Sequence, residues 1–151
     1  MTKIKSGLLA LSILGLNACA HDPSAKDIKA QCRLEMDAAR TAVQLREQGK
    51  DKQSMLATLP PLYPDSTRPL RQLYRIVGEV YDGPQLNDVV FGIYHFEYCV
   101  RQLQHRPVPE HYTDIAPQLK NCQLQYDRHG SKQAVACVRN VFARHAAVFY
   151  R

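Results

Sequence analysis

The 151-residue chain has no apolar run approaching the ~20 residues that a membrane-spanning helix needs, which excludes a transmembrane bundle. Strand signals are almost missing. Only Val89-Val90-Phe91 is locally β-prone, and a three-four apolar period surrounds it. There is no CxxC, HExxH, GxSxG, CxxCH or phosphate loop, no paired-carboxylate signature, no internal repeat and no low-complexity tract. These absences leave motif-bearing zinc sites, c-type haem, serine-hydrolase elbows and nucleotide loops without support. No compact basic motif occurs either, so nucleic acid is not an expected partner. What is present is ordinary for a globular chain of one domain: 45% hydrophobic residues, 23% charged residues and a formal net charge of +6.

The N-terminus is built differently from the rest. Lys3 and Lys5 precede an apolar stretch, Leu8 to Leu16, interrupted only by Ser12 and Gly15. A basic start and a short apolar core ending in small residues describe a secretory signal. Leu16-Asn17-Ala18-Cys19 then resembles the lipobox of bacterial lipoproteins. That resemblance implies cleavage before Cys19 and acylation of its thiol and new amine, because several acyl chains hold a protein stably where one does so only marginally. Ala20, in place of an Asp after the cysteine, favours the outer membrane and its periplasmic face. The expected organisation is a signal peptide over 1–18, a lipid-anchored tether over 19–24 and one helical domain over 25–151. Loss of Lys3 and Lys5 leaves 18 Lys+Arg against 14 Asp+Glu, a modest +4 scattered among acidic and amide residues. Weak attraction to anionic lipid heads is compatible with it.

With Cys19 assigned to lipid, Cys32, Cys99, Cys122 and Cys137 remain, and an even number in an exported chain reads as two disulfides. Four cysteines allow three pairings. Residues 115–128 and 132–150 both read as helices, separated by His129-Gly130-Ser131, so they form an antiparallel hairpin. Residues equidistant from such a turn face each other, which pairs Cys122 with Cys137 and leaves Cys32 with Cys99. The competing reading is a metal site at His95 and Cys99, four apart on one helix, but no second tight pair accompanies it. No cofactor or metal is expected.

The remaining helices follow from caps and periodicity. Ser24 caps a helix that runs to Gln48-Gly49, with Asp27 completing a capping box and Ile28, Cys32, Met36, Ala39 and Val43 on one stripe. A short helical turn covers Ser54–Leu59, and Pro60-Pro61-Leu62-Tyr63-Pro64 is an extended connector. Ser66 or Thr67 caps a helix with Pro69 in its first turn and Leu70, Leu73, Val77 and Val80 inward. Asn87 opens the most apolar helix, placed centrally, with Val89, Ile93, Phe96, Val100 and Leu103 as its seam. The terminal hairpin has inward stripes at Ile115, Leu119, Cys122 and Tyr126, and at Cys137, Val141, Arg144 and Val148. The expected fold is all-α: a small irregular bundle of about five helices, two disulfides and a C-terminal helical hairpin.

Two further motifs carry a weaker resemblance. Cys32 is followed by Ala38-Ala39-Arg40 and by Arg46-Glu47-Gln48-Gly49, and Val80-Tyr81-Asp82 precedes Phe96-Glu97-Tyr98-Cys99. In this the mature part resembles a group of small, cysteine-bridged, helical exported bacterial proteins. The resemblance supports the Cys32–Cys99 pairing and supplies no catalytic residue.

Six histidines (His21, His95, His105, His111, His129 and His145) raise the question of an active site, yet they carry no motif, and His95 reads as a buried, hydrogen-bonded core residue. Of the eight tyrosines, Tyr63 lies in the proline connector, where a core role is least assured, and is the candidate binding residue. The expectation is therefore a non-enzymatic, periplasm-facing lipoprotein that acts as an accessory or adaptor for another envelope protein. The alternative is an envelope enzyme acting on peptidoglycan or lipid.

Overall fold

The structure, a computed structural model, describes residues 24–126 and 132–149. Among these residues there are six α-helices and no strand. They are α1 (Ala25–Glu47), α2 (Lys52–Leu56), α3 (Arg68–Asp82), α4 (Asp88–Leu103), α5 (Ala116–Tyr126) and α6 (Lys132–Phe149), with a single 3₁₀ turn at Tyr112–Asp114. Five are long, and α2 is the short helical turn, which starts two residues before the expected Ser54. The segments 1–18 and 19–23, with Cys19 and His21, lie outside the described residues, as do His129, Gly130, Ser131 and Tyr150. No helix among the described residues is long and apolar enough to cross a membrane.

The caps form where the sequence puts them. Ser24 and Asp27 exchange side-chain and backbone hydrogen bonds as a complete capping box. Gly49 adopts a left-handed φ of 83° after α1, and the N–H groups of Gly49 and Lys50 return to Arg46 and Leu45. Asn87 caps α4 by accepting the Val90 N–H at 2.9 Å. Thr67 stands at the start of α3 without a side-chain cap bond. Ser66 is used differently, its hydroxyl accepting the Tyr63 N–H at 2.8 Å.

Helix α4 is the shared wall. It packs along α1 and also touches α5 and α6, while α3 lies on α1 and α2. The α1–α4 contact is close because Gly92 faces α1: a Cβ there would stand 2.6 Å from the Arg40 Cγ. Gly83 likewise leaves room for the Tyr112 ring, 2.2 Å from where its Cβ would be. The core joins Ala39 and Val43 of α1, Ile76 and Val80 of α3, Phe91 and Tyr94 of α4, Leu119 of α5 and Phe142 of α6.

Cys32–Cys99 ties α1 to α4, and Cys122–Cys137 ties α5 to α6, with Cα separations of 5.5 and 5.8 Å. Both pairings, the helical hairpin and the all-α class agree with the sequence reading.

The inward faces differ in detail. Val89, Ile93, Phe96, Val100 and Leu103 are only partly buried, whereas Val90, Phe91, Tyr94, His95, Glu97, Cys99 and Arg101 are fully buried. A helix enclosed by neighbours on several sides has no single apolar seam. On α1, Glu35 is buried in preference to Met36. On α3, Ile76 replaces Leu70 and Leu73 as the deeply buried residue. On α6, Arg144 is exposed, and Ala134, Val138 and Phe142 join Val141 inside.

Candidate functional site

Three features stand out: a buried charged cluster between α1, α3 and α4, a polar pocket beside it, and an apolar groove on the opposite side of α3.

Glu35 of α1 centres the cluster, with only 7% of its side chain exposed. Its carboxylate lies 3.5 Å from Arg68 Nη2, 3.7 Å from Arg75 Nη2 and 3.8 Å from His95 Nδ1. Arg75 Nε also meets Glu79 at 3.3 Å, one turn along α3, and its guanidinium stacks 3.6 Å over the Tyr98 ring. Arg68 reaches Gln102 at 2.8 Å and the Cys99 sulfur at 3.8 Å.

His95 is completely enclosed, between Phe91 and Tyr94 edge-on and Glu79, whose Oε2 is 3.2 Å from Nε2. That last pair is close but not aligned as a hydrogen bond. The Arg75 guanidinium, which can only donate, stands 3.4 Å from Nδ1, which assigns the proton of a neutral imidazole to Nε2. Two carboxylates against two guanidiniums balance without help from His95, so the cluster is electrically closed. His95 is thus buried, as expected from the sequence, with Arg75 as its hydrogen-bond partner.

The polar pocket, about 370 Å³, is lined by Arg75, Glu79, Asp82, Glu110, His111 and Tyr112. Most of its polar groups already have partners. Glu79 is held by Arg75, Asp82 by Lys52 at 2.6 Å, and the Tyr112 hydroxyl by the Pro84 carbonyl at 3.1 Å. Glu110 and His111, 3.9 Å apart, are both strongly exposed. Burial is the chief cause that raises the phenol pKa of Tyr112, and the Glu79 charge adds to it. Tyr94 is raised as well, again first by burial and then by Glu79. Neither phenol is tuned towards proton transfer near neutral pH. A neighbouring pocket, shared through Glu110 and His111, includes half-buried His145. His105 serves the backbone: its φ of 53° ends α4 in a left-handed turn.

No group of three or more His, Cys, Asp or Glu side chains among the described residues is placed to hold a metal ion. Cys99, proposed with His95 as the metal alternative, has its sulfur in the bridge to Cys32.

The groove, about 350 Å³, runs between α1, α2 and α3, with walls that include Ala42, Leu45, Met55, Leu59, Leu73 and Val77. Tyr63 stands clear of it in the connector, 61% exposed, next to Leu62 at 45%. The buried charges were not legible. Glu35 sits beside the Cys32–Ala39 stripe, where Met36 is the more apolar choice. Only the four-residue Glu97–Arg101 spacing signalled the other buried pair, which closes at 3.0 Å.

No protein-family model, curated protein or solved structure matches the chain.

Proposed function

We propose that this chain is a lipid-anchored accessory protein of the bacterial cell envelope, facing the periplasm, that works by binding another envelope protein and not by catalysis. The anchor is Cys19 in Leu16-Asn17-Ala18-Cys19. The two disulfides, which persist in oxidising compartments, support an exported location.

The observation that carries the reading is the preorganised connector. Its backbone is fixed at several points: the Tyr74 hydroxyl donates to the Pro60 carbonyl at 3.0 Å, Tyr63 N–H to Ser66 Oγ at 2.8 Å, and Arg71 to the Ser66 carbonyl. Yet Leu62 and Tyr63, which it presents, remain exposed. An aromatic and an aliphatic side chain held ready on a rigid loop make an interface anchor that loses little conformational freedom on docking. The polar pocket supports chemistry less well, since most of its charged groups are engaged with one another.

The test is a photo-crosslinking residue at position 63 of the full chain in its own envelope, combined with Leu62→Ala and Tyr63→Ala. The expected result is one recurrent protein adduct and a complex weakened at least tenfold by either substitution, with stability unchanged within ~0.5 kcal/mol. An undiminished complex in both variants overturns the docking site. Mass spectrometry of the mature chain tests the anchor, and a first residue other than acylated Cys19 overturns it.

A further inference from the structure

The groove between α1, α2 and α3 is independent of the connector and has its own chemistry. Its walls are apolar, and the hydroxyls at its edge have their protons engaged locally. Thr41 donates to the Asp37 carbonyl, Thr58 to the Met55 carbonyl and Ser54 to Asp51. One strong polar group is left. Lys50 lines the groove, and its ammonium meets no carboxylate among the described residues, whereas nearby Lys52 is committed to Asp82. The adjacent Asp51 carboxylate is turned onto Ser54, accepting both its N–H and its hydroxyl.

We propose that this groove binds a fatty acid, its hydrocarbon chain lying on Ala42, Leu45, Met55, Leu59, Leu73 and Val77 and its carboxylate pairing with Lys50.

Size selects the occupant. A helix docked here would lie over the mouth with only the side chains of one face inside, whereas a single hydrocarbon chain fits within the groove along its length. At about 30 Å³ for each water-sized unit, a groove of about 350 Å³ holds on the order of ten carbons. Charge then selects the head group. Lys50, exposed and the one charged residue of the groove lining, in a chain with a net excess of basic residues, matches a carboxylate and opposes an ammonium.

The experiment uses the full chain carrying Cys19→Ser, so that no acyl group of its own competes, titrated with the even-numbered fatty acids from octanoate to hexadecanoate below their micellar concentrations. Burial of each methylene gives roughly a fourfold gain in affinity. Affinity is expected to climb at that rate to about ten or twelve carbons and then level off, at one ligand per chain. Lys50→Glu is expected to weaken dodecanoate binding about tenfold and to reverse the preference over dodecyltrimethylammonium. Thr41→Trp fills the groove from its exposed edge and should abolish binding of both. Circular dichroism verifies that each variant is folded. Binding that fails to saturate, climbs without a plateau or is indifferent to both substitutions overturns the proposal. So does a photo-crosslinker at Thr58 that captures, in the intact envelope, a polypeptide or a second copy of this chain and no lipid.

Discussion

Helix α4 divides the molecule into two unlike halves. On one side α1 and α3 meet it through a long-range disulfide and a charged cluster around Glu35. On the other, α5 and α6 form a local hairpin whose apolar residues reach the same core, with Arg101 of α4 lying 5.0 Å over the Phe142 ring. The Cys122–Cys137 bridge spans 15 residues and Cys32–Cys99 spans 67. The hairpin is assembled from neighbours in sequence, while the charged half requires distant segments to find one another first. The same helix thus serves as the end of a long loop closure on one face and as the dock for a preformed unit on the other.

Breaking each bridge in turn tests that contrast most directly. In the chain-entropy model, replacing Cys32 and Cys99 by alanine is expected to lower stability by about 4 kcal/mol, and replacing Cys122 and Cys137 by about 3 kcal/mol. Urea unfolding of the two double variants reads the order. A larger loss from the hairpin bridge would mean that the short loop, and not the long closure, limits the unfolded chain.

A smaller effect comes from the buried carboxylate on each side, Glu97 of α4 facing α6 and Glu35 of α1 facing α3. Glu97 accepts from Arg101 at 3.0 Å and from Arg139 of α6 at 3.1 Å. Arg101 is buried, so Glu97→Gln strands a guanidinium and is expected to cost about 3 kcal/mol. Glu35→Gln should cost less, about 2 kcal/mol, because Arg68 and Arg75 are a quarter exposed and can turn to water. Denaturant midpoints of the two variants check the order, and equal losses would erase the distinction between the halves.

The same contrast explains what was legible in the sequence. The hairpin and its bridge follow from one turn and the symmetry of 122 and 137 about it. The Ser24, Gly49 and Asn87 caps were readable because they are local hydrogen-bonding chemistry. The inward face of α4 was not. Periodicity finds a seam only when one side of a helix faces water, and α4 is covered on several. Glu35 escaped for a related reason: its charge is tolerable only through Arg68, Arg75 and His95 on other helices, and no single-helix pattern reports them, whereas Glu97 and Arg101 left only their four-residue spacing as a signal. Tyr63 was legible as an exposed candidate because prolines hold it away from any helix. The groove was not, since Leu45, Met55, Leu59 and Leu73 look like ordinary core residues until three helices fail to close over them.

The two halves meet at Tyr94. Its ring stacks on Phe142 of α6 at 5.8 Å, and its hydroxyl donates towards Glu79 of α3 at 3.5 Å. Burial, reinforced by the Glu79 charge, raises the phenol pKa, so the folded state resists ionisation more than the unfolded chain does. A group whose folded pKa is raised contributes stability that is complete below its unfolded pKa, about 10 for tyrosine, and disappears as pH rises towards the folded pKa. Tyr112, raised for the same reasons, adds to the effect in the same direction. The protein is therefore expected to keep its stability up to about pH 10 and to lose it above, with phenolate absorbance at 295 nm appearing together with the loss of helical circular dichroism. Tyr94→Phe removes one buried proton from that balance. It is expected to change stability at neutral pH by less than about 1 kcal/mol, because the 3.5 Å hydrogen bond is long, and to move the alkaline midpoint upward. If Tyr94→Phe leaves the alkaline midpoint in place, the seam between the halves is held by the stack on Phe142 alone, and the hydroxyl facing Glu79 has no part in it.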